Sequence, residues 1–346
     1  MDFYANELKW FEAKGQSLAS MFNDSFTNSN TSYVRGVGSN FTHLVTDIYK
    51  QRYYEITPSD FMPVGSGEIG AYASEYKIFA IEAKGNKSGV VSKSREGTQR
   101  NTIDASMSEA TYKAVDWEYD INYSRTQIER AKAGKTLPID LVKLKEGETF
   151  RQFQLDVQKA AFLGVEDLQG LLNQSGVTVD TSTISNFLYT LTLDQLNTAV
   201  TNIINSVASN LNEVQQSFPN TLVISPKEAR GLKATSVGAE FGVTVSKYDR
   251  LLSLLRDGFK NPNFQIKELA YSDKTRNASV LGGSGKNRYI LYRNDPLSMK
   301  MHVQRNYTTS PYHTANGHDF TCVATAAYGG LDVYRKHEVT YFDHTS

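Results

Sequence analysis

Four short stretches carry residue types and spacings that could do chemistry. Gly65-Ser66-Gly67-Glu68-Ile69-Gly70 matches G-x-G-x-x-G, which cradles a dinucleotide pyrophosphate when it follows a strand and opens a helix. Here it follows "PSDFMPV" and opens a β-patterned segment, so the glycines are read as the turn into a ribbon. "GGSGKN" (282–287) is similar to a phosphate loop, but Val280 stands where the first glycine belongs and Asn287 where a Ser or Thr would reach magnesium. It is read as a hairpin turn. His313, His318 and Cys322 offer three ligand types within "YHTANGHDFTC", whereas zinc wants four nitrogen or sulfur ligands in a repeated pair geometry. No metal and no cofactor is assigned. Glu166 and Asp167 are adjacent acids whose side chains point apart. They are read as a solvated turn or as partners for a neighbouring chain's cations. Neither a G-x-S-x-G elbow nor H-E-x-x-H occurs. With no catalytic constellation left, the chain is expected not to be an enzyme.

Composition bounds the rest. At 346 residues the chain can hold two domains, or one domain with large extensions. Lys+Arg and Asp+Glu both number 37. A neutral protein is ill suited to gripping nucleic acid, which needs a basic excess, and charge repulsion does not oppose its self-association. Cys322 is the one cysteine, so no internal disulfide can form. The first residues, "MDFYANELKWFEAKGQSLAS", show neither a basic n-region nor a long apolar run. No signal peptide, no membrane span and synthesis in the cytosol are therefore expected.

The elements come in an unusual order. Residues 22–40 are polar and rich in Gly, Ser and Asn, which reads as an extended arm. "YKIFAIEA" (76–83) is β-prone, and "KAVDWEYDI" (113–121) alternates with Val115, Trp117, Tyr119 and Ile121 on one face. Between them lies a polar, basic stretch, 84–101, holding Lys84, Lys87, Lys93, Arg95 and Arg100 against the single acid Glu96. The pattern predicts a two-stranded ribbon with a charged tip, which is marginal alone in water and needs another surface. A helix is predicted over 138–163, with Thr136 as N-cap, Pro138 in the first turn and Gly164 at its end. Its apolar positions are Ile139, Val142, Phe150, Phe153, Val157, Ala160 and Ala161.

After residue 190 the pattern is compact α/β. Thr192 and Gln195 form a capping-box signature ahead of a helix with Leu193, Leu196, Val200, Ile203, Ile204, Val207 and Leu211 on one face. "TLVIS" (221–225) is a short buried strand running into a second capping-box signature, Ser225-Pro226-Lys227-Glu228. "SKYDRLLSLLRDG" (246–258) is a helix, and "FQIKELA" (264–270) is a strand expected to pair with "RYILYR" (288–293). Residues 297–346 return to strands. The class is α+β.

This order resembles the major capsid proteins of tailed bacteriophages with the Hong Kong 97-like capsid fold, and the related encapsulin shell proteins. The resemblance runs from about residue 60 to the end. It rests on "FLGVEDLQGLLNQSGVTV", similar to the exit of the family's spine helix, on "NTLVISPKEARGL", on "GVTVSKYDRLL", on "IKELA…RYILYRNDP" and on "GGLDVYRKHEVTYFD". It implies an N-terminal arm (1–58) and an extension loop (59–122) lying across a neighbouring subunit. It further implies a peripheral domain with the spine helix (123–190 and 297–346) and an axial domain (191–296). Gly164, Gly170 and Asn173 become the spine-helix exit junction. Lys84, Lys87, Lys93, Arg95 and Arg100 become inter-subunit contacts at the loop tip.

The implied function is a shell subunit that builds an icosahedral head around double-stranded DNA, without reading its sequence. Its partners are then many copies of itself, as hexamers and pentamers, with a separate scaffold protein or none, and portal and decoration proteins as further candidates. The shell would be assembled in the bacterial host cytoplasm and would end in the virion. No fused scaffold segment is expected, because the arm-like residues begin at once. The lysine–asparagine crosslink of the type member is not carried over. An encapsulin-type nanocompartment shell is the alternative, and a nucleotide-binding enzyme using residues 65–70 is the weaker one.

Overall fold

The computed structural model describes residues 54–67, 73–85, 103–127, 129, 141–237, 245–282, 285–314 and 317–344. The arm before residue 54, Lys87, Lys93, Arg95 and Arg100 of the tip, and Thr136, Pro138 and Ile139 lie outside the described residues. The strands are β1 (Val64–Ser66), β2 (Glu75–Gly85), β3 (Ile103–Ser124), β4 (Thr178–Asp180), β5 (Thr221–Ile224), β6 (Ser236–Val237), β7 (Val245–Ser246), β8 (Gln265–Glu268), β9 (Asn287–Tyr292), β10 (Met299–Thr309), β11 (His313–Thr314), β12 (Asp319–Val333) and β13 (Val339–His344). The helices of eight residues or more are α1 (Leu141–Phe162), α2 (Leu193–Asn210), α3 (Pro226–Ala234), α4 (Lys247–Gly258) and α5 (Lys274–Leu281).

Two larger sheets organise these elements. One has six strands, ordered β1-β10-β12-β3-β2 with β11 beside β12, and the other has five, ordered β4-β13-β9-β5-β8. Every residue of β5, β9 and β13 is buried. Such continuous burial means that both faces of the central strands are covered. Leu222, Ile224, Tyr289, Leu291 and Phe342 face a core with α2, α3 and α4. Their neighbours Val223, Ile290, Tyr292, Val339 and Tyr341 join the core shared with the end of α1 and the six-stranded sheet.

This arrangement corrects several expectations. "RYILYR" does not form a hairpin with "FQIKELA". β9 pairs antiparallel with β5 and β13, and β5 lies between β9 and β8. The reason is the intervening α5, which ends at Gly282 with φ +87°. The described residues of "GGSGKN" thus lie between a helix and a strand, not between two paired strands. β13 also lies in the five-stranded sheet with β5 and β9, although 297–346 is grouped above with the outer segment. Tyr119, Phe150 and Leu193 are 47%, 43% and 37% exposed, so they sit at the solvent margin of their apolar faces rather than in the core, with Tyr119 still packed on Trp117 and Phe150 on Tyr307.

The two capping signatures diverge. At Thr192 both bonds of the box form, from Gln195 N to Thr192 Oγ1 (3.4 Å) and from Thr192 N to Gln195 Oε1 (3.0 Å). At Ser225 only half forms. Ser225 Oγ accepts from Glu228 N at 3.2 Å, but Glu228 turns into the core and accepts from Tyr189 N at 3.1 Å. Its side chain therefore ties α3 to the 188–190 turn. Ser225→Ala should cost about 1 kcal/mol in chemical denaturation. A loss under 0.3 kcal/mol would show that this cap is dispensable.

Candidate assembly surfaces

The first surface is a ribbon. β2 pairs antiparallel with β3 from Glu75↔Lys113 to Gly85↔Ile103. No third strand flanks this part among the described residues. At about 3.3 Å per residue its 11 register pairs give a ribbon about 36 Å long. Met107, opposite Ile81, is 67% exposed. β3 then continues into the six-stranded sheet, where Ala114–Ser124 pairs with β12. One strand therefore serves both ribbon and body, which makes the ribbon a rigid extension of the sheet at its root.

The root is built from buried polar groups. Tyr76, on β2, donates its hydroxyl to Asp332 Oδ2 on β12. His302 Nε2, on β10, lies 3.8 Å from the same oxygen and 3.0 Å from the Tyr334 hydroxyl. Tyr76 also stacks on Tyr112 at 5.8 Å. Burial pushes the Asp332 carboxyl up to about 7, against the opposing pull of the Tyr76 hydrogen bond; burial also raises the Tyr76 hydroxyl well above its usual range and raises that of Tyr112. Sequence reasoning missed this cluster. Its one signal is an acid, Asp332, between Leu331 and Val333 in the otherwise apolar last part of the strand, 326–333.

The second feature is the exit of α1. Gly164 adopts φ +79°, and its N–H bonds back to Lys159 O (3.0 Å) and Ala160 O (3.2 Å). This left-handed residue ends the helix. The chain then folds back so that Leu171 N and Leu172 N donate to Ala161 O and Phe162 O at 2.8 and 2.9 Å. Two carbonyls that a helix end leaves without partners are thereby satisfied. Asn173 Oδ1 accepts from Gly170 N at 2.6 Å. Gln174 Nε2 bridges Gly170 O (3.0 Å) and Leu331 O (2.7 Å), and Tyr341 donates to Leu171 O at 2.7 Å. Arg288 holds Leu172 O while pairing twice with Asp343, at 2.6 and 2.7 Å. The segment joins the helix end to both sheets. Asp167 pairs with Lys113 of the same chain at 2.6 Å rather than waiting for another chain's cation. Both side chains are more than half exposed, so the pair contributes little.

The remaining candidates fall apart as chemistry. Gly65 and Ser66 lie in β1, parallel to β10, and Gly67 sits at φ +74°. Cys322 is buried and donates to Ser310 O at 3.0 Å, while His313 sits on exposed β11. No group of three or more His, Cys, Asp or Glu is placed to hold a metal among the described residues. No helix among them is long and apolar enough to cross a membrane. Lys84 is the next-to-last residue of β2, at the far end of the ribbon.

A sequence model of the major capsid protein family matches residues 93–344. The chain belongs to this family. Among solved structures, the capsid of Myoviridae phage XM1 is similar to this capsid protein, with 15% identity, 86% of this chain and 94% of that chain covered and a TM-score of 0.67. Mycobacterium phage Bobi gives 11% identity, coverage of 87% and 94% and a TM-score of 0.53. The capsid of a native GTA particle gives 11%, 96% and 99%, also at 0.53. No curated protein matches the sequence. At these identities the structural likeness shows the fold, which is that of the Hong Kong 97-like phage capsids. The family match makes the capsid protein a phage head shell protein. The encapsulin alternative is no better supported.

Proposed function

We propose that many copies of this capsid protein, as hexamers and pentamers, close into an icosahedral head around double-stranded DNA. The protein has no catalytic activity of its own in this reading, and assembly takes place in the bacterial host cytoplasm with separate scaffold, portal and decoration proteins. The observation that carries it is the ribbon: 11 register pairs with no other strand on either side among the described residues. A two-stranded ribbon is marginal in water, and a neighbouring copy supplies the missing surface. The basic tip, Lys84, Lys87, Lys93, Arg95 and Arg100, then contacts that neighbour. Gly164, Gly170 and Asn173 act as the junction between the spine helix of a peripheral part and an axial part built on α2–α4. Electron microscopy of the purified chain, alone and with its assembly partners, should show closed shells. A stable, folded monomer of 38.6 kDa at high concentration in both samples would overturn the reading.

A further inference from the structure

Among the described residues, β3 has an open edge. Its pairing with β12 runs without a bulge from Ser124↔Asp319 to Ala114↔Gly329. Ala114 N donates away from β12 to Ser74 O, and Asn122 O accepts from Lys145 Nζ on the same outer side. Backbone polar groups alternate sides along a strand, so those of Asp116, Glu118 and Asp120 also point outward. β2 stops short of this stretch, since its pairing with β3 ends at Glu75↔Lys113 and the last backbone bond is that to Ser74. Among the described residues, no strand covers the edge between Ala114 and Asn122.

Such an edge invites another strand. Proteins blunt edges with bulges, proline or lysine, and this stretch has none of these. It carries acids at alternate positions instead. Asp116 is paired with Arg305 at 3.2 Å, whereas Glu118 and Asp120 have no cationic partner among the described residues. A second β3 pairing here would set acid against acid, which is destabilising. The edge therefore selects a strand with cations two residues apart. The chain offers one in Val90-Val91-Ser92-Lys93-Ser94-Arg95. With Lys93 and Arg95 on the acidic side, Val90, Ser92 and Ser94 fall on the other. There a trough of about 440 Å³ between residues 119–122 and Lys145, Glu148, Thr149 and Gln152 of α1 has room for small side chains.

The chain's own segment cannot reach. Glu118 lies 15 residues along β3 from Ile103, about 50 Å at the rise of an extended strand. Arg95 is eight residues from Ile103, and Lys93 is eight from Gly85, so each is tethered within about 29 Å of the ribbon's end. We propose that residues 90–95 of a second copy add a strand to the open edge of β3, with Lys93 and Arg95 opposite Glu118 and Asp120. The inference rests on the shell reading above and names the acceptor of the loop tip.

Two experiments test it, both in the full chain. Glu118→Lys with Asp120→Lys, and separately Lys93→Glu with Arg95→Glu, should each lower shell yield at least tenfold at low salt while the subunit melts as wild type. All four changes in one chain should restore the yield to within about twofold. In either strand direction Ser94 faces Tyr119, at a Cα separation of about 4.5–5.5 Å that suits a disulfide. Ser94→Cys chains mixed with Tyr119→Cys chains should therefore form a mixed dimer on oxidation; the native Cys322 is buried. If wild type forms shells but the reversals assemble normally, the four-fold variant fails to recover or no mixed dimer forms, the inference falls and the shell reading stands. The acids would then be guards on an edge that nothing joins. A wild type that forms no shells would overturn both.

Discussion

Gly170→Ala is expected to destabilise the subunit by about 3–4 kcal/mol, whereas Gly147→Ala should stabilise it by about 0.5–1 kcal/mol. A β-carbon on Gly170 would lie 2.5 Å from both Gly164 N and Phe162 C. Both are backbone atoms at the helix end, so no flexible side chain can yield. Relief would require moving Leu171 and Leu172 away from Ala161 O and Phe162 O, which would orphan those two carbonyls. Gly147 sits in α1 with nothing within 4 Å of the same added atom, and there alanine removes only unfolded-state freedom. Denaturant unfolding of the two variants beside wild type measures both signs. Equal small effects would mean that the close approach at Gly170 relaxes freely and that the exit is not a fixed junction.

Raising the pH from 5 to 8 should destabilise the isolated subunit by about 3 kcal/mol, and Asp332→Asn should remove that dependence. Burial pushes the folded Asp332 carboxyl up to about 7 from 3.8. Between about pH 4 and 7 the folded chain thus keeps a proton that the unfolded chain has released, and stability falls as pH rises through that window. Two other buried groups act in the same range. Burial pushes Glu228 up to about 7, which adds to the slope, and pushes His344 down to about 4, which subtracts from it. Those two nearly offset between pH 4.5 and 6.5, leaving Asp332 as the main term. The asparagine keeps an acceptor for the Tyr76 hydroxyl, so packing at the ribbon root is preserved. Urea titrations at several pH values decide the matter. A variant that keeps the wild-type slope would place the titrating group elsewhere.

Both effects belong to places that the chain's local patterns marked unequally. Local signals are properties of neighbouring residues, and these were legible. The alternation around Trp117, the Thr192–Gln195 box, the four-residue buried strand at 221–224 and the glycine ending α1 all depend on contacts within one or two turns of chain. The order of these segments was enough to suggest the shell-protein family. Tertiary structure decided what local pattern cannot specify. A buried strand reads the same whichever strands flank it, so only the folded sheet put β5 between β8 and β9 and carried β13 into the same layer. A capping glutamate reads the same whether it folds back on its own helix or, like Glu228, is drawn into a core by a turn 39 residues away. The carboxyl of Asp332 acquires its shifted acidity from burial, which only the folded sheet imposes, and the hydrogen bond that opposes the shift comes from Tyr76, 256 residues distant in the chain. An open edge is likewise the absence of a pairing, and no single strand's sequence encodes which of its two sides the rest of the fold will leave bare.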